Sequence, residues 1–402
     1  MSFYNDLGVR RVINAAGPLT RLGGNTLAPG VLDAMRDAAA SNVHMDELQA
    51  RAGEVIAKIT GAEAGYVVTG AAAGLTLAAA ACMAGMDPAA MDRLPETTGL
   101  KHEIVVQRGH RNAYDHALRA AGARFVEVGY LGYPGAGGTY GWQIEAAITE
   151  RTVAIACPIL ETPGTLSLPQ VAEIAHAHGL PVIVDAAASL PPRANLRRFI
   201  AEGADLVTFS GGKAIGGPQA SGVLAGRADL IASVALQHQD MDVRLPTWSH
   251  RDLATEGGVR GIPHQGMGRA MKVGREEIAG LITALQLYVV GSDDADFRLW
   301  ATMLDQIAEE VRPLPGVRLE HHVDPKQPVP KLSLTLDAAT LGFGAYDAIN
   351  ALLAVDPAIA VAESRAEFDT IIINPMVLGE EETAQVCQRL AEVLARGRQP
   401  VA

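Results

Sequence analysis

Aromatic residues are scarce in this chain, 4% of its 402 residues, so stacked rings cannot fill its interior. Hydrophobic residues still reach 49%, which implies an aliphatic, alanine-rich core. Cysteine is nearly as rare. Cys82, Cys157 and Cys387 lie far apart and form no Cys-x-x-Cys pair. Buried, inert thiols of a reduced, cytoplasmic protein are expected. Basic residues are outnumbered, 33 against 45 acidic, for a net charge of −12. That balance disfavours nucleic acid as the main partner. No apolar run is long enough for a membrane span; the Leu75 to Met86 segment is too short. The first residues, Met1-Ser-Phe-Tyr-Asn-Asp, carry neither a basic region nor an apolar one, so no signal peptide is expected. Internal repeats and low-complexity tracts are absent. The length suffices for two or more domains with substantial cores.

Against this plain background one stretch stands out, Asp205-Leu-Val-Thr-Phe-Ser-Gly-Gly-Lys-Ala-Ile-Gly-Gly-Pro-Gln-Ala-Ser-Gly222. It reads as a buried strand, Leu206 to Phe209, entering a glycine-rich turn that carries a single lysine, Lys213. Glycines on both sides permit positive φ and close approach of other groups. Upstream, Leu180-Pro-Val-Ile-Val-Asp185 is an apolar strand that ends in one carboxylate. The spacing of Asp185 and Lys213 is about one crossover unit of a parallel sheet. Two parallel strands would then deliver an acid and an amine to the same sheet edge, where open α/β sheets bind ligands. Pyridoxal phosphate requires this combination: a lysine for its Schiff base and an acid for its pyridinium nitrogen.

The motifs Phe209-Ser-Gly-Gly-Lys-Ala-Ile-Gly-Gly-Pro-Gln-Ala220, Val182-Ile-Val-Asp185, Val12-Ile-Asn-Ala-Ala-Gly17 and Gly268-Arg-Ala-Met-Lys-Val-Gly-Arg275 give the chain a specific resemblance. It resembles a fold-type I pyridoxal-phosphate enzyme of the bacterial selenocysteine synthase (seryl-tRNA selenium transferase) family. Within that family it looks like the shorter D-glucosaminate-6-phosphate ammonia-lyase type. The resemblance implies an α/β fold of the aspartate-aminotransferase kind: a mainly parallel, seven-stranded sheet with a smaller C-terminal α/β domain. The expected division is an N-terminal arm at 1–30, a large cofactor domain at 31–265, and a linking helix with the small domain at 266–402. Residues 1–30 read as irregular, and a continuous helix is expected from Arg269 to Val290.

Other features fit the same chemistry. Gly70-Ala71-Ala72-Ala73-Gly74 is a small-residue turn between a strand, Glu63 to Thr69, and a helix from Leu75. Free amides at such a helix start suit a phosphate. The next strand, Glu103 to Gln107, lacks the terminal acid that a dinucleotide ribose would need, so phosphate is favoured over NAD. His110 follows that strand, where the family places a ring-stacking group. Ser210 sits where relatives hold the phosphate with a hydroxyl, and Gln219 is a further cofactor candidate. Substrate candidates are Asn14, Thr20 and Arg21 in the arm, Arg251 and Arg260 in the polar 238–268 segment, and Arg365. For each, a solvated surface residue is the alternative. Gly132 to Gly138 reads as a surface loop. His176 and His178 point apart on a helix and cannot share an ion; no metal is expected.

The implied reaction is α,β-elimination: dehydration and deamination of a hydroxylated, anionic amino acid or amino-sugar acid. Racemisation, epimerisation and aldol cleavage use the same machinery and are the alternatives. Transfer of selenium or sulfur to seryl-tRNA ranks below them, because the catalytic region starts near Val12 and the net charge is negative. A non-catalytic binding protein ranks last, since Lys213 and Asp185 are both present. A homo-oligomer, at least a dimer, is expected from the irregular arm and the 238–268 segment.

Overall fold

The computed structural model describes residues 3–395 apart from 132–137, 161, 239–241, 257 and 326. The glycine-rich 132–137 loop therefore lies outside the described residues. The chain divides into two compact units, residues 27–289 and residues 1–26 with 290–402.

Strands of the larger unit are β2 (Ala64–Val68), β3 (Glu103–Gln107), β4 (Arg124–Val128), β5 (Thr152–Ala156), β6 (Val182–Asp185), β7 (Leu206–Ser210) and β8 (Gly222–Gly226); β1 (Val12–Ala15) belongs to the other unit. They form one seven-stranded sheet in the order β2-β8-β7-β6-β5-β3-β4. Pairing is parallel from β4 through β7 and antiparallel on both sides of β8. The mainly parallel sheet expected from the sequence is present. Both of its faces are covered, and its central strands are accordingly continuous apolar runs. The helix Ala71–Ala84 is buried along almost its whole length, which explains its unbroken alanine run.

β2 is an edge strand. The buried side chain of Gln49 seals it: Nε2 donates to the Val67 carbonyl (2.9 Å), and Oε1 accepts from the Val67 amide (3.1 Å). Two glycines bring Gln49's helix, Met45–Thr60, against the strand. A Cβ on Gly65 would lie within 2.5 Å of Ile56 Cβ.

The smaller unit holds a five-stranded sheet ordered β1 (Val12–Ala15), β11 (Ala358–Arg365), β12 (Thr370–Ile373), β10 (Gln327–Leu336) and β9 (Val317–Asp324). Helices Asp293–Val311, Ala345–Ala354 and Glu380–Ala395 cover it around an aliphatic core. Two local expectations need correction. The N-terminal arm is not irregular throughout, because Val12–Ala15 pairs in parallel with β11. A four-residue strand among Gly, Pro and Asn has too short a pattern to register. The helix expected from Arg269 starts at Arg275; residues 267–271 form a 3₁₀ turn, and Lys272 is extended.

Candidate active site

The lysine turn begins where β7 ends. Ser210 is in register with Gly222 of β8. The Gly211 amide donates to the Ser221 carbonyl (2.9 Å), the Gly217 amide to the Gly211 carbonyl (2.8 Å), and the Gly216 amide to the Lys213 carbonyl (3.0 Å). Gly216 has φ 72°, a left-handed conformation that favours glycine. A Cβ on Gly212 would lie 2.8 Å from Gln219 Cα, so the turn closes tightly on itself. Lys213 is thus fixed at the backbone and half-buried. Burial pulls its ammonium below the ordinary lysine range, and the Asp185 charge opposes that pull.

Asp185 ends β6 opposite Thr208 of β7, two residues short of Ser210. Its Oδ1 accepts from the Ala187 amide (3.0 Å). Burial raises its pKa, while that amide and Lys213 act the other way. For both groups burial outweighs their mutual attraction. Each is therefore nearer neutral at pH 7 than a surface Asp or Lys.

His110 lies past the end of β3 and is 3% exposed. Its Nδ1 is buried without a hydrogen-bond partner among the described residues. Burial depresses the ring's pKa, and the Leu160 carbonyl partly offsets this. A buried imidazole with an unanswered nitrogen is a group prepared for a ligand.

The expected phosphate cup is tighter than the sequence suggested. The helix begins at Ala71, with Gly70 as its N-cap at φ 130°. Its first intrahelical bond runs from the Gly74 amide to the Gly70 carbonyl (3.0 Å), so the amides of Ala71, Ala72 and Ala73 precede the ladder. Gly222 joins this cup to the lysine turn. It pairs with Val68 of β2 on one side and Ser210 of β7 on the other. A Cβ there would lie 2.7 Å from the Gly70 carbonyl carbon and 2.9 Å from the Ala71 amide nitrogen. Amine, acid, imidazole, hydroxyl and helix start thus gather at the carboxyl edge of one sheet.

The family model for L-seryl-tRNA selenium transferase matches residues 12–245. The D-glucosaminate-6-phosphate ammonia lyase of Salmonella typhimurium is 32% identical over 98% of both chains. The chain belongs to the L-seryl-tRNA selenium transferase family. The 5'-C-glycyluridine monooxygenase-decarboxylase of a Streptomyces species is also 32% identical, over 97% of this chain and 92% of that one. A solved D-glucosaminate-6-phosphate ammonia-lyase superposes with a TM-score of 0.82 at 30% identity, over 99% of this chain and all of the other.

Membership in this family makes the protein a fold-type I enzyme with pyridoxal 5'-phosphate as its cofactor. The site fits that group: a depressed amine beside a carboxylate, a buried imidazole with an open nitrogen, and a helix start for an anion. Gln219 is exposed and folds over Gly212. Arg251 and Arg260 are exposed, Arg251 facing Asp252 at 4.0 Å. Asn14, Thr20, Arg21 and Arg365 belong to the smaller unit. There Asn14 closes a local turn, donating to the Gly17 carbonyl (2.8 Å) and accepting from the Ala16 amide (3.0 Å). Arg21 pairs with Glu363 at 2.9 Å; Thr20 and Arg365 are exposed. His176, set aside as a metal ligand, meets Asp205 at 2.8 Å. Gln107 and Thr162, which tie the His110 bend to the connection after β5, make long-range contacts that leave no local signal in the sequence.

Proposed function

We propose that the protein is a pyridoxal-phosphate ammonia-lyase that dehydrates and deaminates a hydroxylated, anionic amino acid or amino-sugar acid to a 2-oxo acid and ammonia. The full-length likeness to a D-glucosaminate-6-phosphate ammonia lyase carries this reading. Bound cofactor supplies an electron sink for the bond broken at the substrate's α-carbon. Lys213 would anchor it covalently and, once freed, take the α-proton; burial lowers its pKa, which favours the neutral amine that this step needs. The same amine then protonates the β-hydroxyl as it leaves as water. Asp185 would hold the proton on the ring nitrogen. His110 would face the ring, and Ser210 with the amides of Ala71 and Ala72 would hold the phosphate, with Gln219 as a further candidate at the same turn. The enamine released takes up water, giving one ammonium per 2-oxo acid.

A second reading comes from the equally identical Streptomyces relative: oxidative decarboxylation of an amino acid joined to a nucleoside. One experiment separates the two. A panel of D- and L-hydroxy amino acids, amino-sugar acids and their phosphates is assayed for ammonia, 2-oxo acid and oxygen uptake. Equal ammonia and 2-oxo acid without oxygen uptake support the lyase. Oxygen-dependent release of carbon dioxide rejects it. Inversion at Cα with solvent exchange alone would mean a racemase, and a released aldehyde an aldolase.

The remaining features follow this reading. The partner is a small-molecule amino acid, not nucleic acid, and the active species is a homo-oligomer, at least a dimer. The cytoplasm suits three unpaired thiols, two of which, Cys82 and Cys157, burial pushes up to about 12. No described helix is long and apolar enough to cross a membrane.

A further inference from the structure

His110 is carried by a short bend rather than by a strand or long helix, so something else must fix its ring. The bend is tied to the connection that follows β5. Thr162 Oγ1 donates to the Gly109 carbonyl (2.8 Å), one residue before the imidazole. A Cβ on Gly109 would lie 2.8 Å from Thr165 Cγ2 and 3.1 Å from Thr162 Cγ2, so two methyl groups close over that glycine. Thr165 in turn holds Thr162, its hydroxyl donating to the Thr162 carbonyl (2.7 Å). Behind them the buried Gln107 accepts from the Leu166 amide (2.6 Å) and donates to the Leu166 carbonyl (3.0 Å). In front, Asn112 Nδ2 donates to the His110 carbonyl (3.1 Å). The same connection also reaches the acid: the Ile159 amide donates to the Asp185 carbonyl (2.9 Å). Arg111, next to His110, is committed to Asp115 and Glu127; the ring meets the Leu160 carbonyl of the same connection, and its backbone is held by these ties.

We propose that Thr162 is a positioning residue, whose hydroxyl sets the place of the His110 ring through the Gly109 carbonyl. The contact stands on geometry alone. Its consequence for catalysis rests on the proposed placement of His110 against the cofactor. Neither Gln107 nor Asn112 can replace it, since neither bonds the Gly109 carbonyl. Loss of the hydroxyl would leave that carbonyl unanswered at a crowded glycine and let the bend shift.

The test compares Thr162→Ser, Thr162→Ala and Thr162→Val, checked for folding by circular dichroism. The Ser and Ala variants differ only in the hydroxyl, so the comparison survives if the valine variant fails to fold. In cofactor-free protein, the His110 ring signals are assigned by their loss in His110→Gln and titrated by NMR. Wild type and Thr162→Ser are expected to share shifts and midpoint. Thr162→Ala and Thr162→Val should move the midpoint upward, toward an ordinary imidazole, as the ring gains water. In loaded enzyme, the latter two should also shift the visible cofactor band and lower kcat by about 10²-fold, as a misplaced group does, with KM little changed. A Thr162→Ala protein with the wild-type His110 titration overturns the proposal. So does a Thr162→Ser protein that behaves like Thr162→Ala. A changed titration with an unmoved cofactor band upholds the positioning role and removes His110 from the cofactor ring.

Discussion

Lys213 and Asp185 are displaced in opposite directions by the same cause, burial, and neither fully neutralises the other. Removing either should therefore have a distinct signature. Borohydride reduction followed by peptide mapping should place the cofactor on Lys213, and Lys213→Ala should yield no adduct while keeping its fold. Asp185→Asn should still bind cofactor yet lose about 10²-fold or more in kcat, because a neutral amide cannot favour the protonated ring nitrogen; near-wild-type turnover would refute the role. The buried histidines make a separate statement about pH. His238 Nε2 faces the Met271 carbonyl at 3.0 Å and must donate, so Nδ1 accepts from the Tyr66 hydroxyl at 3.0 Å. Burial lowers the folded pKa of both His238 and His110 below the ordinary value near 6.5. Their contribution to stability is thus complete above about pH 6.5 and is lost as pH falls through the folded values. Melting temperature, followed by calorimetry on cofactor-free protein, should fall between about pH 7 and pH 5. His238→Phe should flatten that fall, at a cost in overall stability from the Tyr66 hydroxyl and Met271 carbonyl it strands.

Among the elements, Gly222 bears the tightest geometric demand, lying between two strands and against the Gly70–Ala71 bend. Gly222→Ala forces backbone apart at that bend, which should cost about 1–3 kcal/mol by overpacking. Cofactor affinity, measured by fluorescence titration, should weaken more than urea stability does, because the displaced atoms are those of the helix start. The sequence announced this region well, since a strand, a glycine turn and a lysine are neighbours in the chain. Most strands were legible for the same reason: buried parallel strands such as Val182–Asp185 are compact apolar runs. The boundaries slipped where composition misleads. Ala71 to Ala73 look like turn residues beside two glycines, yet alanine is the best helix former and the helix starts there. The segment Val12–Ala15 was hidden because its partner lies more than 340 residues away, beyond any local pattern. Thr162 was hidden likewise: its hydroxyl answers a carbonyl on another connection, and nothing in Glu161-Thr-Pro-Gly164 marks it.

For the molecule as a whole, assembly is the open expectation with the clearest test. Exposed apolar side chains include Phe3, Leu7 and Val9 near the N-terminus and Tyr140 and Trp142 on the large unit. Large apolar side chains left in water favour association. Sedimentation of the active enzyme should show a dimer or larger assembly, and a fully active monomer would refute it. The Gln49 seal on β2 bears on a different fate of the same molecule. A bare strand edge is a template onto which a second chain can add strands without limit. Here one carboxamide occupies both outward-facing polar groups of Val67, so the middle of the edge is closed by a side chain. Gln49→Leu should leave cofactor binding intact but reopen that edge while the chain is folding. Light scattering during refolding should then rise with protein concentration, and the yield of native enzyme should fall. Equal refolding yields for the two proteins would show that the closure is incidental. One glutamine with no part in the chemistry thus bears on how much of the chain ever becomes enzyme.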